Sequence, residues 1–367
     1  MKIGIDISQI VYQGSGVDSY TRNLVKSLFT LDKKNEYILF GSSLRRKKIY
    51  LDFYNSLKIH NKILPKFYSY PLTFLNQLWN NLHVLDIERF IGKIQIFHTS
   101  DWIEAPARCA KVTTVHDLIA FKFPQFLDPL IVKTQRARME WVRRDGTFII
   151  ADSENTKNDI VELIKIPAAN IAVVYLGVSP VFGQDKLKAN IVLDKYLLKG
   201  PYILAVGMRE PRKNLQRVIE AFKQLRNKDL ELLIVGKYGW GKDISPFPNV
   251  RILESVSDEE LAVLYGQARC FIYPSLYEGF GLPVLEAMAS GTLVITSDRG
   301  SLQEIAGKNA FFVNPESVSN IQEKIEYALG LSDAQRLEIL AKGKQHAHKF
   351  TWEKTAEQTV NVYNRFL

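Results

Sequence analysis

The chain has 367 residues, 46% hydrophobic and 24% charged, with 48 Lys and Arg against 39 Asp and Glu for a formal net charge of +9. This composition is globular and excludes a disordered chain, and the length predicts two domains. No apolar run reaches the roughly 18–20 residues of a membrane span, and Met1-Lys2-Ile3-Gly4-Ile5-Asp6 lacks the apolar core of a signal peptide. Cys109 and Cys270 stand alone, so neither a zinc knot nor a disulfide framework is expected, and a reducing cytoplasm fits. Residues 1–180 hold 24 basic and 17 acidic residues and so most of the positive excess. That excess predicts an anionic partner: nucleic acid, a lipid surface or a phosphorylated substrate.

In chain order, strand-like runs are predicted at 2–8, 37–41, 95–99, 112–115, 148–151 and 171–175. A second series follows at 202–206, 230–235, 250–253, 270–273, 293–296 and 310–313. Several are apolar on both faces, as parallel strands covered by helices are. Amphipathic stretches lie between them at 19–30, 215–226, 258–268 and 318–329. This alternation predicts an α/β fold of two Rossmann-like domains with parallel sheets facing a central cleft. The amino-terminal domain is expected over 1–180 and the carboxyl-terminal one over 195–350. Gly and Pro punctuate 178–200, which reads as a linker.

Three stretches carry chemistry. The first strand leads into Gln13-Gly14-Ser15-Gly16-Val17-Asp18-Ser19, where backbone N–H groups can approach a phosphate. Dinucleotide binding is poorly matched, since position 19 is Ser and Phe40-Gly41-Ser42 offers no ribose acid. An ordinary tight turn is the alternative. The strand at 202–206 runs into Gly207-Met208-Arg209-Glu210-Pro211-Arg212-Lys213-Asn214, whose cations suit a diphosphate or form a solvated charge run. The strand at 270–273 leads to Glu278-Gly279-Phe280-Gly281-Leu282-Pro283-Val284-Leu285-Glu286. Pro283 suits the first turn of a helix, and the N–H groups of Gly281 and Leu282 would point at an anion. Glu278 and Glu286 bracket that helix start.

These residues resemble the retaining glycosyltransferases of family 4, the group 1 transferases, whose signature Glu-x7-Glu is matched by Glu278 and Glu286. Thr114-Val115-His116-Asp117-Leu118 resembles the His-Asp-Leu of the mannosyltransferase-like branch. Ala151-Asp152-Ser153-Glu154-Asn155-Thr156, Glu210-Pro211-Arg212-Lys213-Asn214 and Ser257-Asp258-Glu259-Glu260-Leu261 are also similar to family segments. The resemblance spans essentially the whole chain. It implies the GT-B fold, with the last helix, within 351–367, returning to the first domain.

It also implies roles. Glu278 would contact the donor sugar and Glu286 the ribose. Arg212 and Lys213, with Arg209 as a further candidate, would neutralise the diphosphate. Gly14, Gly16, Gly279, Phe280, Gly281 and Leu282 would line the phosphate and sugar region, and the backbone at Val256 would meet the base. His116 would be catalytic on the acceptor side, with Asp117 beside it. Asp18 departs from the small residue common in relatives, and its carboxylate is expected to turn away from the diphosphate or bind acceptor hydroxyls. No Asp-x-Asp occurs, so no metal is expected. The expected partners are a nucleotide sugar, GDP-mannose first and UDP-glucose or UDP-N-acetylglucosamine next, and a glycan or lipid-linked acceptor. Arg45, Arg46, Lys47, Lys48, Lys58, Lys62 and Lys66, interleaved with aromatics, suit an anionic membrane at its inner face. A solvated loop with its aromatics facing the core is the alternative there, and no nucleic-acid motif is present. An NAD-dependent oxidoreductase and a non-catalytic sugar-nucleotide binder are the competing functions.

Overall fold

The computed structural model describes residues 1–57, 63–184, 187–227, 229–240 and 247–367. The chain divides into two compact units, Met1–Gly177 with Trp352–Leu367, and Val178–Thr351.

The first unit is built on β1 (Lys2–Asp6), β2 (Glu36–Ser42), β3 (Ile63–Tyr68), β4 (Ile96–Ser100), β5 (Ala110–Val115), β6 (Phe148–Ala151) and β7 (Ile171–Val173). They form one parallel sheet in the order β3-β2-β1-β4-β5-β6-β7. Ile3, Ile38, Leu39, Phe40, Ile96 and Phe97 are almost fully buried, which explains why these strands are apolar on both faces. The helix Gly16–Leu31 buries Tyr20, Leu24, Val25, Leu28 and Phe29, and Ser15 caps it by accepting from the Asp18 N–H at 3.2 Å. The helix Trp352–Tyr363 packs along it, inserting Trp352, Ala356, Val362 and Tyr363.

The second unit carries β8 (Tyr202–Val206), β9 (Glu231–Val235), β10 (Val250–Leu253), β11 (Cys270–Tyr273), β12 (Val294–Ser297) and β13 (Phe311–Val313), parallel in the order β10-β9-β8-β11-β12-β13. The helices Leu215–Lys223 and Val318–Leu329 cover one face, with Val218, Ile219, Phe222, Ile321 and Ile325 against Ile203, Leu232 and Ile234. In both sheets the order reverses beside the first strand, so a crevice opens at the carboxyl ends of β1 and β4 and again at β8 and β11.

Two expectations are corrected. The stretch 178–200 is not a bare linker: it holds the helix Ala189–Lys195 and buries Val181, Phe182, Val192 and Leu198 within the second unit. In the basic stretch after residue 44, Tyr50 and Phe53 do face the core, but the backbone is not one solvated loop. It forms the helix Lys47–Ser56, the edge strand β3 and a short turn of helix at Leu72–Leu75. Tyr50 and Phe53 are buried, while Arg45, Arg46, Lys47, Lys48 and Lys66 stay exposed. Lys58 and Lys62 lie outside the described residues.

Candidate active site

The reversal between β8 and β11 brings two loops together. After β8 the chain passes a short turn, Pro211–Lys213, and reaches Asn214 in the left-handed region at φ 60°. The Asn214 side-chain amide donates to the carbonyls of Pro274 at 3.0 Å and Pro315 at 2.6 Å. The Leu276 N–H donates to the Arg212 carbonyl at 2.9 Å. The 210–214 loop is thereby tied to the loop after β11, and Glu278 arrives against both cations.

One Glu278 oxygen accepts from Arg212 Nη1 at 2.5 Å. The other accepts from Lys213 Nζ at 2.8 Å and the Tyr273 hydroxyl at 2.8 Å. Arg212 is held from its other side by Glu210, through Nη2 at 2.6 Å and Nε at 3.0 Å. Burial alone would push the Glu278 carboxyl up. Arg212 and then Lys213 outweigh it and hold the group at about 2. Burial and the neighbouring Arg212 charge push the Lys213 ammonium down, against the pull of Glu278 and Glu210.

The turn from Glu278 into the helix Leu282–Ala289 is clamped from below. The Ser301 hydroxyl donates to the carbonyls of Glu278 at 3.0 Å and Phe280 at 2.7 Å. Gly281 caps the helix at φ 110°, where a Cβ would lie 2.6 Å from Leu302 Cδ2. Pro283 sits in the first turn, as expected. With the carbonyls engaged below, the N–H groups of Gly281 and Leu282 take no partner among the described residues and mark the positive end of the helix. The Phe280 ring packs edge-on to Phe350 at 6.2 Å.

Glu286, partly buried one turn into the helix, accepts from the Tyr265 hydroxyl at 3.3 Å. Burial, with Asp258 nearby, pushes its carboxyl up to about 8. Val256 immediately precedes the capping box of Ser257 and Glu260, at the carboxyl end of β10. Arg209 does not join the Glu278 cluster. Its Nη2 donates to Glu254 at 2.7 Å and its guanidinium lies over Tyr238 at 5.5 Å.

In the first unit the loop after β1 departs from expectation at Gly14, whereas Asp18 turns back into its own loop, in line with the first of its two expected placements. Asp18 is buried and folds back: one oxygen accepts the Gly14 N–H at 3.0 Å and the other pairs with Arg22 Nε at 2.5 Å. The carboxylate therefore occupies the Gly14 N–H, one of the backbone donors expected for a phosphate. Gly16 opens the helix, and a Cβ there would meet nothing within 4 Å, so that surface is accessible.

His116 follows β5 and Asp152 follows β6. Val115 and Ala151 are register partners, so the next residue of each strand leaves the sheet side by side. His116 Nδ1 meets Asp152 Oδ2 at 2.7 Å. Asp117 accepts the Ile119 N–H at 3.0 Å.

Residues 194–346 match the family profile described as "Glycosyl transferases group 1", and residues 14–182 match "Glycosyltransferase Family 4". The chain is 30% identical over 386 residues to the O-antigen chain mannosyltransferase B of Escherichia coli, covering 99% of each chain. The chain belongs to the group 1 glycosyltransferases. This glycosyltransferase is also 27% identical to the O-antigen chain mannosyltransferase RfbU of Salmonella typhimurium, over 90% of this chain and 92% of that one. Among solved structures it resembles the Anabaena protein Alr3699/HepE in complex with UDP and glucose, at a TM-score of 0.74 and 14% identity over the full length of both, which identifies the GT-B fold.

Four residues support this glycosyltransferase site in ways its sequence does not display. Asp152 is 36 residues from His116, and only strand register joins them. Ser301 and Gly300 lie beyond β12 and touch the Glu278 loop through its carbonyls, which leaves no sequence pattern. Tyr273 reads as the end of a strand, yet its hydroxyl donates to Glu278.

Proposed function

We propose that this glycosyltransferase is a retaining mannosyltransferase that uses GDP-mannose without a metal and extends a surface polysaccharide or lipid-linked glycan. The observation carrying this reading is Glu278, held as an anion between Arg212 and Lys213 at the β8–β11 reversal. When the glycosidic bond to the nucleotide breaks, negative charge develops on the β-phosphate. Arg212, Lys213 and the positive end of the Leu282–Ala289 helix supply fixed positive charge for it. Glu278, at about 2, stays ionised across the working range, so it accepts hydrogen bonds from sugar hydroxyls and is no general acid. Two cations bound to it also make it a poor nucleophile for double displacement. The acceptor hydroxyl therefore attacks the face the phosphate leaves, and the departing phosphate oxygen takes its proton. Glu286 would hold the ribose, the Val256 backbone the base, and His116 a substrate oxygen.

The names of the Escherichia coli and Salmonella relatives support mannose and O-antigen-like products. The UDP and glucose in the Anabaena structure support a UDP-sugar as the second reading. An NAD-dependent reaction has less support, because Asp18 occupies the Gly14 N–H and β2 ends at Ser42 without an acid. We further infer that the exposed cations Arg45, Lys47, Lys48 and Lys66 meet an anionic membrane surface that carries the acceptor.

A thermal-shift screen with GDP, GDP-mannose, UDP, UDP-glucose, UDP-N-acetylglucosamine and NADH tests the reading. A ligand at 100 times its Kd stabilises the folded state by about 2.7 kcal/mol. GDP and GDP-mannose are expected to give the largest shifts, and transfer from GDP-mannose to persist in EDTA. A shift with NADH alone, or transfer abolished by chelation, would overturn it.

A further inference from the structure

His116 Nε2 is buried and meets no hydrogen-bond partner among the described residues, and neither does Asp152 Oδ1. An unpartnered buried ring nitrogen is unusual in a native core. Its opposite edge is held firmly, since Asp152 is 1% exposed and its carboxylate sits 2.7 Å from Nδ1. A carboxylate can only accept there, so Nδ1 carries a proton. The ring face is fixed as well. Tyr20 meets it edge-on at 4.6 Å, and the Tyr20 hydroxyl is bonded to Thr114 Oγ1 at 2.7 Å. Thr114 Oγ1 meets His98 Nε2 at 2.8 Å, and His98 Nδ1 meets the Tyr363 hydroxyl at 2.6 Å on the last helix. A continuous buried chain thus runs from that helix to the His116 ring.

We propose that Asp152 is the positioning residue for His116: its carboxylate pins the Nδ1–H edge of the ring and faces it with negative charge, so that Nε2 is presented to a substrate oxygen. This rests on His116 being the catalytic residue of the first unit. The charged groups around the ring favour the cation. Burial opposes it, but Asp152 first, then Asp101 and Asp117, outweigh burial and push the imidazole up. His98, the imidazole within this hydrogen-bonded series, is pushed down to about 3 by burial and stays neutral, so it adds no competing charge. Tyr20 also stays neutral, its hydroxyl pushed far up by burial. Nε2–H then acts as a hydrogen-bond donor of the charge-assisted kind.

The test is an NMR titration of the His116 ring in the full chain, read beside the pH profile of transfer, for wild type, Asp152→Asn and His116→Ala. Asn keeps an acceptor for Nδ1–H and removes the charge. In wild type, His116 should titrate above the ordinary value of about 6.5. In Asp152→Asn its midpoint should fall by about one unit or more, with the alkaline limb of kcat/KM moving down equally. Transfer at neutral pH should drop at least about tenfold, with GDP affinity unchanged. A wild-type ring titrating below 6.5, or an Asp152→Asn titration and pH profile matching wild type, overturns the proposal. If Asp152→Asn fails to fold, the wild-type midpoint alone decides. If His116→Ala transfers at the wild-type rate, the role of His116 has failed instead, and the ring titration still reports what Asp152 does to it.

Discussion

Glu278 accepts from two cations and a phenol, so removing its charge should be felt twice. Breaking a buried ion pair on one side costs on the order of 3 kcal/mol. Glu278→Gln should therefore lower thermal stability in the absence of nucleotide. Transfer should fall by at least about a hundredfold. GDP affinity should hold or rise, because Arg212 and Lys213 are released to meet the diphosphate. Calorimetric GDP titration and radiolabelled transfer check this, and wild-type turnover would remove Glu278 from the mechanism. Lys213→Ala should act oppositely, weakening GDP binding. The sign of the acid response follows from the depressed carboxyl. Its stabilisation is complete above the ordinary glutamate range and is lost as pH falls toward about 2. Glu278, Glu286, Arg212 and Lys213 were legible because one contiguous block and one short loop carry them. Their shell was not, since Tyr273 and Ser301 act through a hydroxyl each, and hydroxyls leave no spacing signature.

At the scale of elements, β9 and β11 were plain in the sequence because central parallel strands are apolar without interruption. β3 was not. Its run Ile63-Leu64-Pro65-Lys66-Phe67-Tyr68 holds a proline and a lysine, which only an edge position tolerates, and the sheet order puts β3 at the edge. The helix Ala189–Lys195 escaped for a related reason: it buries Val192 alone among its residues, too little to show a period. The loop clamp under Glu278 offers a prediction of its own. Gly300 sits at φ 58°, and a Cβ there would lie 2.8 Å from the Glu278 carbonyl oxygen. Gly300→Ala must shift backbone, not a flexible side chain, and adds left-handed strain of roughly 1–2 kcal/mol. It should lower the unfolding midpoint and reduce kcat more than it raises the KM for nucleotide sugar. An unchanged kcat would show that Glu278 tolerates movement of its own peptide.

For the molecule as a whole, the positive excess lies mainly on residues 1–180, with Arg45, Lys47, Lys48 and Lys66 exposed alongside the outward-facing Leu44, Leu51 and Leu64 of the same stretch. Each basic residue near an anionic surface contributes about 1 kcal/mol. Vesicles rich in phosphatidylglycerol should sediment the protein at low salt and release it at high salt, and the combined Lys47→Glu, Lys48→Glu, Lys66→Glu variant should bind at least about tenfold less. Equal capture by neutral vesicles would count against a charge-led contact. The two-fold repetition of strand and helix was readable from composition and period alone. The interleaving of the units was readable only through the family, because nothing in Trp352–Tyr363 itself says which core it joins. That interleaving governs how the protein is made. The first unit emerges from the ribosome early but lacks Trp352, Ala356 and Tyr363, and the bond that His98 awaits. Roughly ten to thirty seconds of synthesis separate Gly177 from Trp352 at typical elongation rates. Throughout that interval the apolar flank of Gly16–Leu31 is uncovered, so the first unit to be translated is the last to close, and a chaperone has its longest opportunity there.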